Sequence, residues 1–144
     1  MLILKSDGLT VQVIKKLKLA VFTWRGHTPS EAYQEGTIKS LEVLRNLSSI
    51  NRIILDVRHH SVMLSADIDQ SVRSTVDYLT IAKGNYRMAV LPPANLLAES
   101  TVNLYIDLLN KTLKKRFVVK KIATMRSALL WLTRPKFSRL LRGY

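Results

Sequence analysis

The sequence predicts an α/β fold, a mixed sheet of about five strands with about four helices, and three observations predict it. Short runs of β-branched and apolar residues recur along the chain, as at Thr10–Ile14, Arg52–Val57 and Phe117–Val119. Longer stretches with helical apolar spacing separate the later runs. The first two runs adjoin across a short break, so an N-terminal hairpin precedes βαβ units with right-handed crossovers.

Taken in order, Thr10–Ile14 is the first strand and Lys15-Lys16 the turn. Leu17–Trp24 begins with alternation and ends apolar, which suits a strand with one wet face. With a wet side on the hairpin, all the helices are expected on the other face. Thr28-Pro29-Ser30-Glu31 reads as a helix start, with Thr28 as N-cap, Pro29 at the first helical position and Glu31 completing a capping box. This helix runs to about Leu47, with Ala32, Gly36, Val43 and Leu47 near one face and Tyr33 and Leu44 beside it. A glycine inside a helix costs about 1 kcal/mol against alanine, so Gly36 points to close packing on a sheet.

Arg52–Val57 is mostly apolar, the pattern of a central strand covered on both faces. A second helix fits Ala66–Ala82, with Ser65 as N-cap and Asp67 and Asp69 at the positive end of its dipole. Lys83-Gly84-Asn85 ends it, and Tyr86–Leu91 is the next strand, stopped by Pro92-Pro93. Asn95–Leu113 is helical, with Leu97, Leu104, Leu108 and Tyr105 near one face. Phe117–Val119 is the last strand. Thr124 caps a final helix, Met125–Thr133, which Pro135 stops. Residues 1–134 form one domain, and 135–144 a basic amphipathic tail.

This order, together with Trp24-Arg25-Gly26, Tyr33-Gln34-Glu35, Ile54-Leu55-Asp56-Val57-Arg58, Arg87-Met88-Ala89-Val90 and Ala128-Leu129-Leu130-Trp131-Leu132, resembles the STAS / SpoIIAA-like family. The branch it looks like is a group of small bacterial proteins of mostly unassigned function. The resemblance covers about Leu9 to Leu132. It implies a mixed sheet with helices packed on it and a binding or regulatory role, since most members are not enzymes. Regulatory members carry Asp-Ser-Ser-Gly at the start of the second helix, where a serine is phosphorylated. Here that stretch reads Met63-Leu64-Ser65-Ala66-Asp67, so Ser65 is the nearest counterpart and the candidate phosphosite, without the flanking pattern. A phosphate at a helix N-terminus is favoured, but not beside Asp67 and Asp69. Cap preference makes Ser65 an N-cap first.

Asp56-Val57-Arg58-His59-His60 is the best place for a site, because α/β sheets bind ligands at the C-terminal ends of their strands. Asp56, Arg58 and His59 are the candidate ligand residues. Asp56 with His59 or His60 has the donor types for zinc, but neighbouring histidines on an extended segment point opposite ways and no third ligand is evident. The alternative is a polar loop in which Asp56 caps backbone or pairs with Arg58. No cofactor or metal is expected. With no cysteine in the chain, disulfides and thiol catalysis are excluded. Ser61 beside His60 is not a triad, and Gly-x-Ser-x-Gly, phosphate-loop and dinucleotide motifs are absent. Trp24 and Trp131 read as core or edge residues.

No apolar run approaches the ~18 residues of a membrane span, and the N-terminus does not read as a signal peptide, so a cytoplasmic location is the expectation. The formal charge of +13 is uneven: the last 37 residues hold eleven Lys and Arg and no acid. Cations at helix C-termini have a structural rationale. The tail has less of one. Phe137, Leu140, Leu141 and Tyr144 follow i, i+3, i+4, i+7 spacing, with Lys136, Arg139 and Arg142 mainly off that stripe. Together with Arg134, these residues are the candidate partner or membrane contact, open to packing on the domain, a homodimer mate, an anionic membrane or another partner. The functional expectation is a non-enzymatic STAS-like module that binds a protein partner or an apolar or anionic ligand, at the membrane surface or away from it. The alternative is a basic nucleic-acid-associated protein.

Overall fold

The computed structural model describes residues 2–6, 8–47, 49–61, 65–81, 85–113 and 117–133. Six strands form one mixed sheet in sequence order: β1 Leu2–Ser6, β2 Leu9–Ile14, β3 Leu19–Gly26, β4 Arg52–His60, β5 Tyr86–Leu91 and β6 Phe117–Lys121. Four α-helices accompany them: α1 Ser30–Asn46, α2 Ser65–Ile81, α3 Leu96–Leu113 and α4 Met125–Thr133. The α/β class, the mixed sheet and the four helices match the sequence expectation.

The additional strand is β1. It pairs antiparallel with β2, which pairs antiparallel with β3, so the expected hairpin becomes a three-stranded meander. Gly8 permits the turn between β1 and β2 with φ +69, and a Cβ there would meet Thr28 Oγ1 at 2.6 Å and the Arg25 carbonyl at 2.9 Å. Between β2 and β3, Lys15–Leu17 forms a 3-10 turn closed by Lys18 in the left-handed region at φ 52.

Strands β3 to β6 are parallel. Each crossover advances to the next strand in the same direction, and right-handed crossovers of that kind place α1, α2 and α3 on one face. There they enclose the main core around Phe22, Trp24, Ile53, Met88, Tyr105 and Phe117. On the opposite face, α4 buries Ala128 and Leu132 against Leu19, Val21, Ile54, Ala89 and Leu91. The expectation that every helix lies on one face therefore fails for α4. This helix is not a crossover, so handedness leaves it free, and β3 to β5 carry apolar residues on both faces that need cover.

Local signals hold where nothing tertiary competes. Thr124 Oγ1 accepts from Ser127 N at 3.1 Å, the expected cap of α4. Asn95 Oδ1 accepts from Leu97 N and Ala98 N at the start of α3. The capping box at α1 does not form. Pro29 occupies the cap position with no side-chain bond, because Ser30 Oγ donates to Asp67 Oδ2 at 2.8 Å and Thr28 Oγ1 lies 3.3 Å from His60 Nε2. On α3 the buried stripe is Ala98, Val102, Tyr105, Ile106 and Leu109. Leu97 and Leu104, expected inside, are 71% and 42% exposed. The free edge of β6 is occupied by Asn110 of α3, whose amide accepts from Val119 N at 3.2 Å and donates to Val119 O at 3.1 Å. It stands in for a further strand and blunts that edge.

Gly36 lies where α1 crosses the sheet. A Cβ at this position would sit 2.5 Å from Trp24 Cη2 and 3.3 Å from Leu9 Cδ2, both on buried side chains. The gain in helix propensity from Gly36→Ala, about 1 kcal/mol, is smaller than the cost of overpacking a rigid indole, about 1–3 kcal/mol. Urea denaturation should show G36A less stable by about 1–2 kcal/mol. An equal or higher midpoint would mean that α1 can lift from the sheet at no cost.

Candidate functional site

The sequence places a candidate ligand site at Asp56, Arg58 and His59, and the structure puts all three on β4 near the C-terminal end of the parallel strands. Asp56 is buried and already bound. Arg58 Nε donates to Asp56 Oδ1 at 2.9 Å, Arg58 NH2 donates to Asp56 Oδ2 at 2.9 Å, and Arg58 N donates to Oδ1 at 3.2 Å. Burial alone would push the Asp56 carboxyl up, but these bonds and the guanidinium charge outweigh it and hold the carboxyl below its ordinary range. The two ends of the pair satisfy each other, as the polar-loop alternative expects, within a strand that continues to His60.

His59 and His60 divide as adjacent strand residues should. His59 is exposed and His60 buried. A shift of register decides which histidine turns inward. Thr23 pairs with Asp56, but Arg25 pairs with His59, so β4 carries one extra residue opposite Trp24. This bulge brings His60 to the α1 side of the sheet. Its ring lies 5.6 Å from the Trp24 ring and 6.0 Å from Tyr33, stacked on the latter at 17°. His59, the sequence candidate, stays outside this cluster. Among the described residues, no group of three or more His, Cys, Asp or Glu is placed to hold a metal.

The largest departure from the sequence reading lies beneath the helices. A cavity of about 60 Å³ sits between the sheet and α1, α2 and α3. Its floor is apolar, with Phe22, Trp24, Ile53, Leu55, Met88 and Phe117. Its roof mixes hydroxyls with leucines: Tyr33, Thr37, Ser40, Leu41 and Leu44 from α1, Ser71, Thr75 and Tyr78 from α2, and Tyr105 from α3. Beside Leu41 and Leu44, the α1–α2 seam carries the small side chains Thr37, Ser40, Ser71 and Thr75. A second hollow of about 170 Å³, lined by Ile38, Glu42, Arg45, Ser74 and Asp77, lies along the same seam and shares Leu41 and Tyr78 with the cavity. The two hollows thus adjoin along the α1–α2 seam.

The hydroxyls have a defined polarity. Thr37 donates to Tyr33 O at 3.0 Å, Ser40 to Gly36 O at 2.8 Å, and Thr75 to Ser71 O at 2.8 Å. Their hydrogens face their own helices, and the hydroxyls also meet one another, Tyr33 with Ser71 and Thr37, and Tyr105 with Thr75 and Ser71. Burial raises the phenols of Tyr33 and Tyr105, and it pushes Tyr78 up to about 12, so all three stay neutral. Among the described residues, no Lys, Arg, His, Asp or Glu lines the cavity. The sequence showed the individual residues, including Tyr33 and Trp24, but not that Ser40, Ser71 and Thr75 converge, because helical spacing alone does not reveal which hydroxyls face a neighbouring helix.

α2 begins at Ser65 itself, one residue before the expected Ala66, and the Ser65 side chain lies outside the described residues. The contact residues of the tail, Arg134, Lys136, Phe137, Arg139, Leu140, Leu141 and Arg142, also lie outside them. No helix among the described residues is long and apolar enough to cross a membrane. Compared with known proteins, the chain matches no family model, no curated protein and no solved structure.

His60 gives the site a pH signature. Burial, with a smaller contribution from the His27 charge, lowers its pKa below the ordinary 6.5. The unfolded chain therefore binds more protons than the folded one in this window, and unfolding free energy rises with pH. The contribution is fully present above 6.5 and is lost as pH falls through the ordinary value toward the depressed one. Asp56 acts in the same direction around and below its ordinary 3.8. Melting temperature should fall between about pH 7 and pH 5, and His60→Phe should flatten that segment while Asp56 keeps the acid limb. An unchanged slope in H60F would assign the dependence elsewhere.

Proposed function

We propose that this chain is a STAS-like binding module that holds a small, neutral, largely apolar ligand in the cavity beneath α1, α2 and α3, and that it acts by binding and not by catalysis. The family assignment rests on the sequence resemblance. The ligand class rests on one observation: an apolar floor facing a roof of leucines and neutral hydroxyls, with no Lys, Arg, His, Asp or Glu among the described residues of the lining.

That lining selects chemistry. Desolvating an unpaired carboxylate or ammonium there carries a large cost. An aromatic ring or short alkyl group gains from the Phe22, Trp24 and Phe117 surfaces. A hydroxyl or amino donor on the ligand finds an acceptor on Ser40, whose own hydrogen is committed to the Gly36 carbonyl, while the Thr37 and Thr75 hydroxyls already meet Tyr33 and Tyr105. The fit therefore favours the apolar arm of the expected ligand over the anionic one. At about 60 Å³ the cavity is smaller than a benzene-sized void of roughly 150 Å³. A ring-sized ligand is admitted by widening of the α1–α2 seam, which small residues make easier than interlocked leucines would.

The test is an NMR titration with p-cresol, with benzoate as the charged counterpart. p-Cresol should shift the Trp24 indole and the Ser71 and Thr75 amides but leave the Trp131 indole, on the opposite face of the sheet, in place. Benzoate should bind at least about tenfold more weakly, the penalty of burying an unpaired charge. Ser71→Leu, which fills the roof, should abolish the p-cresol shifts while the protein stays folded. Equal binding of benzoate, or shifts that survive in S71L, would remove the cavity as the site.

A further inference from the structure

The register of the sheet gathers cations on the face that α4 shares, at the N-terminal end of the parallel strands. Arg52 of β4 pairs with Arg87 of β5, and Arg87 pairs with Val118 of β6. Lys120 follows two residues on from Val118, on the same side. Lys15, Lys16 and Lys18 form the exposed turn that enters β3 beside Arg52. Backbone bonds fix that neighbourhood: Arg52 N donates to Lys18 O at 3.1 Å, and Arg52 NH1 donates to Leu17 O at 2.9 Å. Trp131 of α4 lies between two of the cations, 5.9 Å from the Arg87 guanidinium and 5.9 Å from the Lys120 ammonium.

Acids are missing from this surface. Strands β1 to β6 and helix α4 hold one acid among their described residues, Asp56, and Arg58 closes it at the far end of the strands. The other ion pairs among the described residues are Glu35–Lys39 and Glu99–Lys121, neither of which uses these cations. Exposed aliphatic side chains accompany the charge. Ile14 ends β2 next to the lysine turn and is 40% exposed. Leu2, opposite Gln12 on the same side, is 54% exposed, and Val118, opposite Arg87, is 45% exposed.

We propose that this rim, with Lys15, Lys16, Lys18, Arg52, Arg87 and Lys120 around Ile14, Val118 and Trp131, docks on an anionic lipid bilayer. The mixture identifies the partner. Cations alone would suit any polyanion. Exposed aliphatics at the level of the cations, with a tryptophan between two of them, match an interface where headgroup phosphates lie beside acyl chains. Nucleic acid offers phosphates but no apolar phase for Leu2, Ile14 and Val118. The rim belongs to the folded domain, so contact with the membrane does not depend on residues 134–144.

The experiment is co-sedimentation of the full chain with vesicles of phosphatidylcholine alone and with about 30% phosphatidylglycerol, near 0.1 M salt, where screening leaves surface contacts measurable. The chain should bind the anionic vesicles and not the neutral ones, with a blue shift in emission that W131F loses. Charge reversal in Lys15→Glu with Lys16→Glu should weaken binding by about tenfold or more. Ile14→Ser with Val118→Ser, both exposed and mild for stability, should weaken it as well, with unchanged far-UV circular dichroism in both variants. Binding that survives both double substitutions overturns the proposal. So does a result in which duplex DNA binds as tightly as the vesicles and the serine pair leaves vesicle binding untouched, which would make the rim a nucleic-acid surface.

Discussion

The handedness of the crossovers governs this molecule. Strands β3, β4, β5 and β6 follow one another in the sheet without a reversal. A right-handed connection that always advances in one direction has only one face on which to place its helix. So α1, α2 and α3 line up on that face, and their mutual packing is set by strand spacing before any side chain is chosen. An open α/β sheet that reverses its strand order gains a crevice where the direction changes. This sheet has no such reversal among the described strands, and its cavity lies elsewhere, between the helix row and the sheet.

That location depends on how closely each helix approaches. Gly36 lets α1 come down onto Trp24 until no room for a methyl group remains. Further along α1, the contacts are to Thr37 and Ser40, and across the seam to Ser71 and Thr75, which are too short to fill the space above Ile53, Leu55 and Met88. Close approach at one point and small residues at the next leave a void enclosed by the same helix pair. Trp24 belongs to both, as the surface under Gly36 and as part of the cavity floor. The bulge in β4 adds His60 beside it, so Trp24, Tyr33 and His60 form a cluster of three rings in mutual contact.

Much of the fold was legible because its signals are local. Tyr86–Leu91 is a strand bounded by prolines, and Thr124 caps α4 through its own hydroxyl. Gly36 advertised close packing through its cost in a helix. The misses share a cause, competition from residues distant in sequence. β1 becomes a strand by pairing with β2, and Leu2–Ser6 carries little alternation of its own. The box at Thr28 loses to His60 and Asp67, which take its hydroxyls. The choice between His59 and His60 turns on one extra residue opposite Trp24, which a single strand read by itself cannot show. Asp56 was legible as a polar residue near the end of a central strand, and its pairing with Arg58 was one of the readings the sequence allowed.

The same separation of local from distant causes sorts the charge. Asp67 and Glu99 sit in the first turns of α2 and α3, and Arg45 and Lys111 in the last turns of α1 and α3, as helix dipoles favour. Those placements stabilise helices and imply nothing beyond the chain. Arg52, Arg87 and Lys120 lie on strands, where net dipoles are small. Arg52 and Arg87 are moreover direct neighbours across β4 and β5, an arrangement of like charges that disfavours the sheet. The Leu17 carbonyl and the Trp131 ring offset part of that repulsion without neutralising it. Charge kept at a cost to stability, on strands and a helix whose one described acid is already paired, is the observation that the proposed bilayer contact would account for.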